Sequence, residues 1–168
     1  MNKKNQVVSF KIGKETFGVY IHIVQEIIRV PEITPVPEMP SFVEGVVNLR
    51  GKIVSIIDLS KRLRIEGSQR TRTSRILIIE VDKKAIGLLV GAVTEILRLP
   101  PESIEPAPDI VTAVGAEYIL GVGKLSDKLI ILLDLKNILK PEELKKIAAD
   151  ERGEPVPQQA GRLLEAAA

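Results

Sequence analysis

The stretch Val46-Val47-Asn48-Leu49-Arg50-Gly51-Lys52-Ile53-Val54-Ser55-Ile56-Ile57-Asp58-Leu59 decides how the rest of the chain is read. Two apolar runs meet at a polar turn, Asn48 to Lys52, with Arg50-Gly51 at its tip: the pattern of a β-hairpin. Gly51 fits a turn position that requires positive φ, which residues bearing a side chain adopt only at a cost. Asp58 ends the second strand, and its carboxylate can cap a short helical run from Leu59 to Leu63. A weaker form of the same pattern returns at Val122-Gly123-Lys124-Leu125-Ser126-Asp127-Lys128-Leu129-Ile130-Ile131-Leu132-Leu133-Asp134-Leu135.

Working outward, the two halves of the chain align over long blocks. At an offset of 69 residues, Lys14/Lys83, Gly18/Gly87, Val24/Val93, Glu26/Glu95, Ile27/Ile96, Arg29/Arg98 and Pro31/Pro100 are identical. At an offset of 76, Gly45/Gly121, Val46/Val122, Leu49/Leu125, Lys52/Lys128, Asp58/Asp134, Leu59/Leu135 and Leu63/Leu139 agree. Collinear matches of this kind indicate an internal duplication. Each copy offers about five short strands, which suits a small closed barrel because closure removes exposed strand edges. The expected layout is a first barrel copy over about 7–63, a connector over 64–75 and a second barrel copy over about 76–139. A helix over 141–149, opened by Pro141, and a flexible tail over 150–168 complete it, with 1–150 forming one folded unit.

Within the first copy, Val7 to Ile12 and Thr16 to Ile21 read as a hairpin. Ile21, Val24 and Ile27 then fall three residues apart, as in a helical turn. Pro31, Pro35, Pro37 and Pro40 forbid a long helix in the segment that follows.

Composition narrows the chemistry. Of 168 residues, 45% are hydrophobic, mostly Val, Ile and Leu, with three Phe, two Tyr and no Trp. β-Branched residues favour strands. The formal net charge of +2 is too small to point to nucleic acid or a membrane surface. With no cysteine, disulfides and thiolate metal sites are excluded, and the single His22 leaves no second imidazole for a zinc set. No cofactor is expected. The Met1-to-Gln6 start lacks a signal-peptide pattern, and the longest apolar run, Ala85 to Val93, is about half a bilayer span. A cytoplasmic protein without direct membrane insertion is expected.

Candidate chemistry reduces to few residues. Gly121-Val122-Gly123-Lys124 has Leu125 where a phosphate loop needs Ser or Thr. Glu26 and Glu95 look like a carboxylate pair, but duplication alone accounts for them. No nucleophile with its base remains, so no catalytic residue is assigned. Positions that differ between copies are more informative. Asn48-Leu49-Arg50-Gly51 faces Lys124-Leu125-Ser126-Asp127, so Arg50 has no basic counterpart in sequence. Its guanidinium can make a forked pair with a carboxylate, Glu26 being one candidate, or it can be a solvated turn residue.

With these residues in view, the chain resembles the CheW family of bacterial chemotaxis coupling proteins. The resemblance is carried by Phe42-Val43-Glu44-Gly45-Val46-Val47-Asn48-Leu49-Arg50-Gly51, by Ile56-Ile57-Asp58-Leu59, by Val24-Gln25-Glu26-Ile27 and by Ile33-Thr34-Pro35-Val36-Pro37. It implies two SH3-like barrels and a non-catalytic scaffold joining chemoreceptors to the CheA histidine kinase, whose regulatory domain is the expected second partner. It also implies a groove for the receptor's helical tip lined by Val8, Ile21, Val24, Ile27 and Val93. By the same resemblance Glu26 and Arg50 form a paired functional surface, beside the motif turn Asn48, Leu49 and Gly51. Two alternatives stand: a regulatory domain of a larger kinase or receiver fusion, and a small-barrel nucleic-acid-binding protein using Arg64 to Arg75. The scarcity of aromatics for base stacking weighs against the second.

Overall fold

Runs rich in Val, Ile and Leu put most of the described residues into strands. The computed structural model describes residues 5–65, 70–106, 118–125, 127–139 and 143. The strands are β1 (Gln6–Ile12), β2 (Glu15–Tyr20), β3 (Val24–Arg29), β4 (Val43–Leu49), β5 (Lys52–Asp58), β6 (Ser74–Val81), β7 (Lys84–Arg98), β8 (Ile104–Glu105), β9 (Ile119–Leu125) and β10 (Lys128–Leu133), with a short helix α1 (Leu59–Arg62) after β5. Asp58 caps α1 as expected: its Oδ1 accepts from the Ser60 amide at 2.9 Å and the Lys61 amide at 3.4 Å. The connector ends two residues early, because Ser74 and Arg75 already belong to β6. The helix expected at 141–149 and the tail lie outside the described residues, apart from Glu143.

Hydrogen bonding runs β3-β6-β7-β1-β2-β10-β9-β8, with β5 joining β7 in parallel and β4 outside β5. Two sets emerge, the five strands β4-β5-β7-β6-β3 and the six strands β8-β9-β10-β2-β1-β7, which share the fifteen-residue β7. Its residues 84–92 pair with β6, and residues 93–98 pair with β1.

The registers of the two sets coincide under the offsets of the duplication. Val7↔Tyr20 in β1/β2 corresponds to Ile76↔Leu89 in β6/β7. The parallel pairs Ile131↔Phe17 and Leu132↔Gly18 correspond to Ser55↔Ile86 and Ile56↔Gly87. Even the irregularities recur, between Val24 and Glu26 in one set and opposite Ser9/Phe10 in the other.

Strand pairing does not follow the repeat boundaries, however. The first repeat gives β1 and β2 to one set and β3 to β5 to the other, and the second repeat does the reverse. The chain crosses over at the 3₁₀ turn Ile21–Ile23 in the first copy and through the middle of β7 in the second. No ladder among the described residues closes on itself. The outer strands β4 and β3 are instead linked through the loop between them, where an isolated bridge pairs Thr34 with Val46.

The largest core cluster lies between the sets. Val8, Phe10, Phe17 and Val19 meet Leu77, Ile79, Ile86 and Leu88 there. Phe10 and Phe17 stack at 6.3 Å between centroids. Glycine lets the parallel ladder pack: a Cβ on Gly87 would fall 2.5 Å from Ile56 Cδ1, and one on Gly18 would fall 2.5 Å from Val7 Cγ1.

Arg62 of α1 ties the halves together. Its guanidinium carbon sits 4.7 Å over the Phe42 ring and 5.0 Å over the Tyr118 ring, two positions equivalent under the duplication. Its Nε donates to the Ile138 carbonyl at 2.6 Å, and Nη2 and Nη1 donate to Glu143 at 2.8 and 3.2 Å.

Candidate interaction surface

The quoted hairpin folds as its residues require. Leu49 pairs with Lys52 across a two-residue turn. Arg50 and Gly51 have φ of 51° and 86°, the mirror-image turn whose twist matches that of paired strands. Asn48 Oδ1 accepts from the Gly51 amide at 2.8 Å and fixes the tip. Arg50 thus accepts a left-handed backbone conformation that costs a residue with a Cβ. The side chain is thereby aimed across to β3.

There it meets Glu26 in a forked pair, Nη1 to Oε1 at 2.9 Å and Nη2 to Oε2 at 2.6 Å. The Arg50 side chain is 69% exposed and that of Glu26 32%. The hydrogen bonds from Arg50 hold the Glu26 carboxyl below its ordinary range, and Glu26 in turn raises Arg50. Because β3 and β4 are the outer strands of their set, this pair bridges edges that the ladder leaves apart.

The segment leading to Glu26 corrects one expectation. Ile21, Val24 and Ile27 do not share a helical turn: only Ile21–Ile23 is 3₁₀, and Val24–Arg29 is strand β3. The reason is a bulge. Val24 pairs with Ile79 and Glu26 with Ile78, so Gln25 is an extra residue. Without it Val24 and Ile27 would point to opposite faces; with it, both stand on the face of buried Ile79 and Leu77. A bulged strand therefore imitates the three-residue spacing of a helix.

Four of the five expected groove residues come together on the central core cluster. Val8 belongs to it and is 1% exposed, so it is floor and offers almost no surface. Ile21, Val24 and Val93 pack against it half-buried. Ile27 is 40% exposed at the rim.

The duplication identifies a residue that the sequence reading did not assign. Ile96, the counterpart of Ile27, pairs with Val8 in the ladder, faces the same core cluster and is 55% exposed. Its identity with Ile27 at the offset of 69 was the available signal. Likewise Glu95, the counterpart of Glu26, has a cation after all: Lys128 Nζ lies 3.3 Å from its Oε1. Arg50 has no counterpart by position, yet space supplies one from two residues further along.

No group of three or more His, Asp or Glu among the described residues could hold a metal. No helix among them is long and apolar enough to cross a membrane.

Strand order and surface define a class: a mainly β module whose exposed apolar side chains Ile27 and Ile96 stand beside ion pairs of Glu26 and Glu95. Residues 6–143 match the CheW-like domain, and the chain belongs to that family. It is 32% identical over 147 residues to the chemotaxis protein CheW of Treponema pallidum, covering 85% of this chain and 86% of that protein. It is 34% identical over 135 residues to CheW of Klebsiella aerogenes, covering 80% and 81%. The crystal structure of the scaffolding protein TtCheW from Thermoanaerobacter tengcongensis superposes with a TM-score of 0.77 at 37% identity, covering 85% of this chain and 92% of that one.

Proposed function

We propose that the chain is a non-catalytic chemotaxis adaptor that works in the cytoplasm, joining the cytoplasmic tip of a chemoreceptor to the regulatory domain of the CheA kinase. The two strand sets act as SH3-like subdomains of one folded unit. The receptor tip docks where Ile27 and its half-buried neighbours Ile21, Val24 and Val93 border the central core, since helix-in-groove recognition needs short aliphatic anchors of this kind. Val8 supports these anchors from beneath. The observation that carries the reading is the exposure of Ile27 beside the forked Glu26–Arg50 pair. Membership of a family whose relatives are named chemotaxis and scaffolding proteins supports it.

The test is binding of a receptor-tip fragment and a kinase regulatory-domain fragment to the full chain. Ile27→Asp leaves the fold intact and abolishes receptor-fragment binding, and Val24→Asp does the same at greater cost in stability. Arg50→Glu leaves thermal unfolding nearly unchanged while weakening ternary assembly. Undiminished affinity in a folded Ile27→Asp variant removes the docking site from this surface.

A further inference from the structure

We propose that the cavity framed by α1, β4 and the start of β6 is a docking site for an acidic segment of a partner protein, with Glu44 holding the place of that segment in the unbound chain. The cavity has a volume of about 330 Å³, and its polar wall carries Glu44, Asp58, Lys61 and Arg70. Lys61 comes from α1 and Arg70 from the connector, and both turn to one carboxylate. Lys61 Nζ lies 2.7 Å from Glu44 Oε1, and Arg70 Nη2 lies 3.2 Å from Oε2. The Glu44 side chain is 18% exposed, whereas Lys61 and Arg70 are 54% and 45% exposed. The cations therefore face solvent while the anion between them is largely covered. The hydrogen bond to Glu44 is also the main reason that the Lys61 ammonium is raised above its ordinary range.

The duplication provides a control. A second cavity of about 260 Å³ lies against His22 and Val81, the counterparts of Gly91 and Ile12 in the first. By sequence offset the counterparts of Glu44 and Lys61 are Leu120, 48% exposed, and Asn137, and neither lines that cavity. Strand pairing is the same in both halves, so the strand architecture does not require the charged trio. One half has acquired it.

The chemistry selects the ligand. Two cations with nitrogens to spare accept more than one carboxylate. Glu44 is tethered, so it competes at an effective concentration on the order of millimolar. A single free anion does not displace it at ordinary concentrations. A run of neighbouring acidic residues does, because every contact after the first is intramolecular.

The experiment uses the full chain and a fluorescently labelled oligoglutamate peptide at low salt, read by anisotropy, and needs neither kinase nor receptor. Glu44→Gln raises peptide affinity by about tenfold or more, as removal of a tethered competitor requires. Adding Lys61→Met and Arg70→Met to that variant returns binding to the wild-type level or below. Excess inorganic phosphate leaves the peptide bound. No gain in Glu44→Gln, or a gain that survives loss of both cations, overturns the proposal. So does displacement by phosphate at equal concentration, which makes the cavity a small-anion site. Should Glu44→Gln fail to fold by circular dichroism, Lys61→Met alone, which weakens the residual binding of the unaltered chain, decides the matter.

Discussion

Replacing Arg62 by alanine tests the central clamp of the molecule. The side chain is 10% exposed and makes three kinds of contact at once: the Ile138 carbonyl, the Glu143 carboxylate and the faces of Phe42 and Tyr118. A hydrogen bond from a charged donor contributes about 1.5–3 kcal/mol. Each ring face adds about 0.5–2 kcal/mol, towards the upper end where water is excluded. These contributions are not additive, and breaking a largely buried charged contact typically costs about 3–5 kcal/mol in all. For a chain of this length 1 kcal/mol corresponds to about 2–4 °C, so Arg62→Ala lowers the melting temperature by about 6–20 °C. The assay is urea unfolding followed by circular dichroism, with calorimetry for the melting temperature. Arg62→Lys keeps the charge but not the planar fork, and recovers less than half of the loss. Glu143→Gln, which leaves the carbonyl and both rings in place, costs less than Arg62→Ala. A loss below about 1 kcal/mol for Arg62→Ala would refute the reasoning, because it would mean that the rings and carbonyl are satisfied equally well without the guanidinium.

Four further outcomes follow from particular contacts. Ser55 is 1% exposed and its hydroxyl has no hydrogen-bond partner among the described residues. Ser55→Ala therefore stabilises by about 1 kcal/mol, and a fall in melting temperature contradicts this. Gly87→Ala forces a methyl to 2.5 Å from Ile56 Cδ1 and 2.8 Å from Ile76 Cγ2, and costs about 1–3 kcal/mol by overpacking. Gly51→Ala meets no atom within 4 Å and is limited to the backbone cost of its positive φ, about 1–2 kcal/mol; equal unfolding curves with less than 0.5 kcal/mol lost at both, an order-of-magnitude threshold, would count against both accounts. Glu26 titrates below its ordinary range because Arg50 stabilises the carboxylate. Its folded pKa is depressed, so the contribution of the pair is present at neutral pH and is lost as pH falls through that lowered value. Carboxyl-carbon NMR of the chain shows the Glu26 midpoint moving back up in Arg50→Gln.

Much of this was legible in the chain itself, for reasons that differ from element to element. The β4–β5 hairpin could be read because its two apolar runs, Gly51 and the capping Asp58 are local signals that tertiary packing did not override. The duplication could be read because identities at fixed offsets survive, and these lead from Ile27 to Ile96. Strand β3 could not be read correctly, because a bulge at Gln25 shifts the alternation by one and gives the spacing of a helix. Exchange of strands between the repeats leaves no local mark: β2 pairs as well with β10 as it would with any apolar strand of matching register. The Lys128–Glu95 contact was hidden because counterparts in sequence were compared, while the carboxylate takes whichever cation the fold brings near. Arg62 was silent for the same reason, since its partners at 118, 138 and 143 lie far along the chain.

The crossover of β7 has a consequence for the origin of the molecule. If each repeat must lend strands to the other, a single repeat has no complete strand set of its own. Two separate copies of an ancestral half could still have built the same ladders by trading strands as a swapped homodimer. The present chain then corresponds to that pair with its two polypeptides spliced into one, and the splice is what allowed Glu44, Arg50 and Arg62 to arise on one side without being imposed on the other.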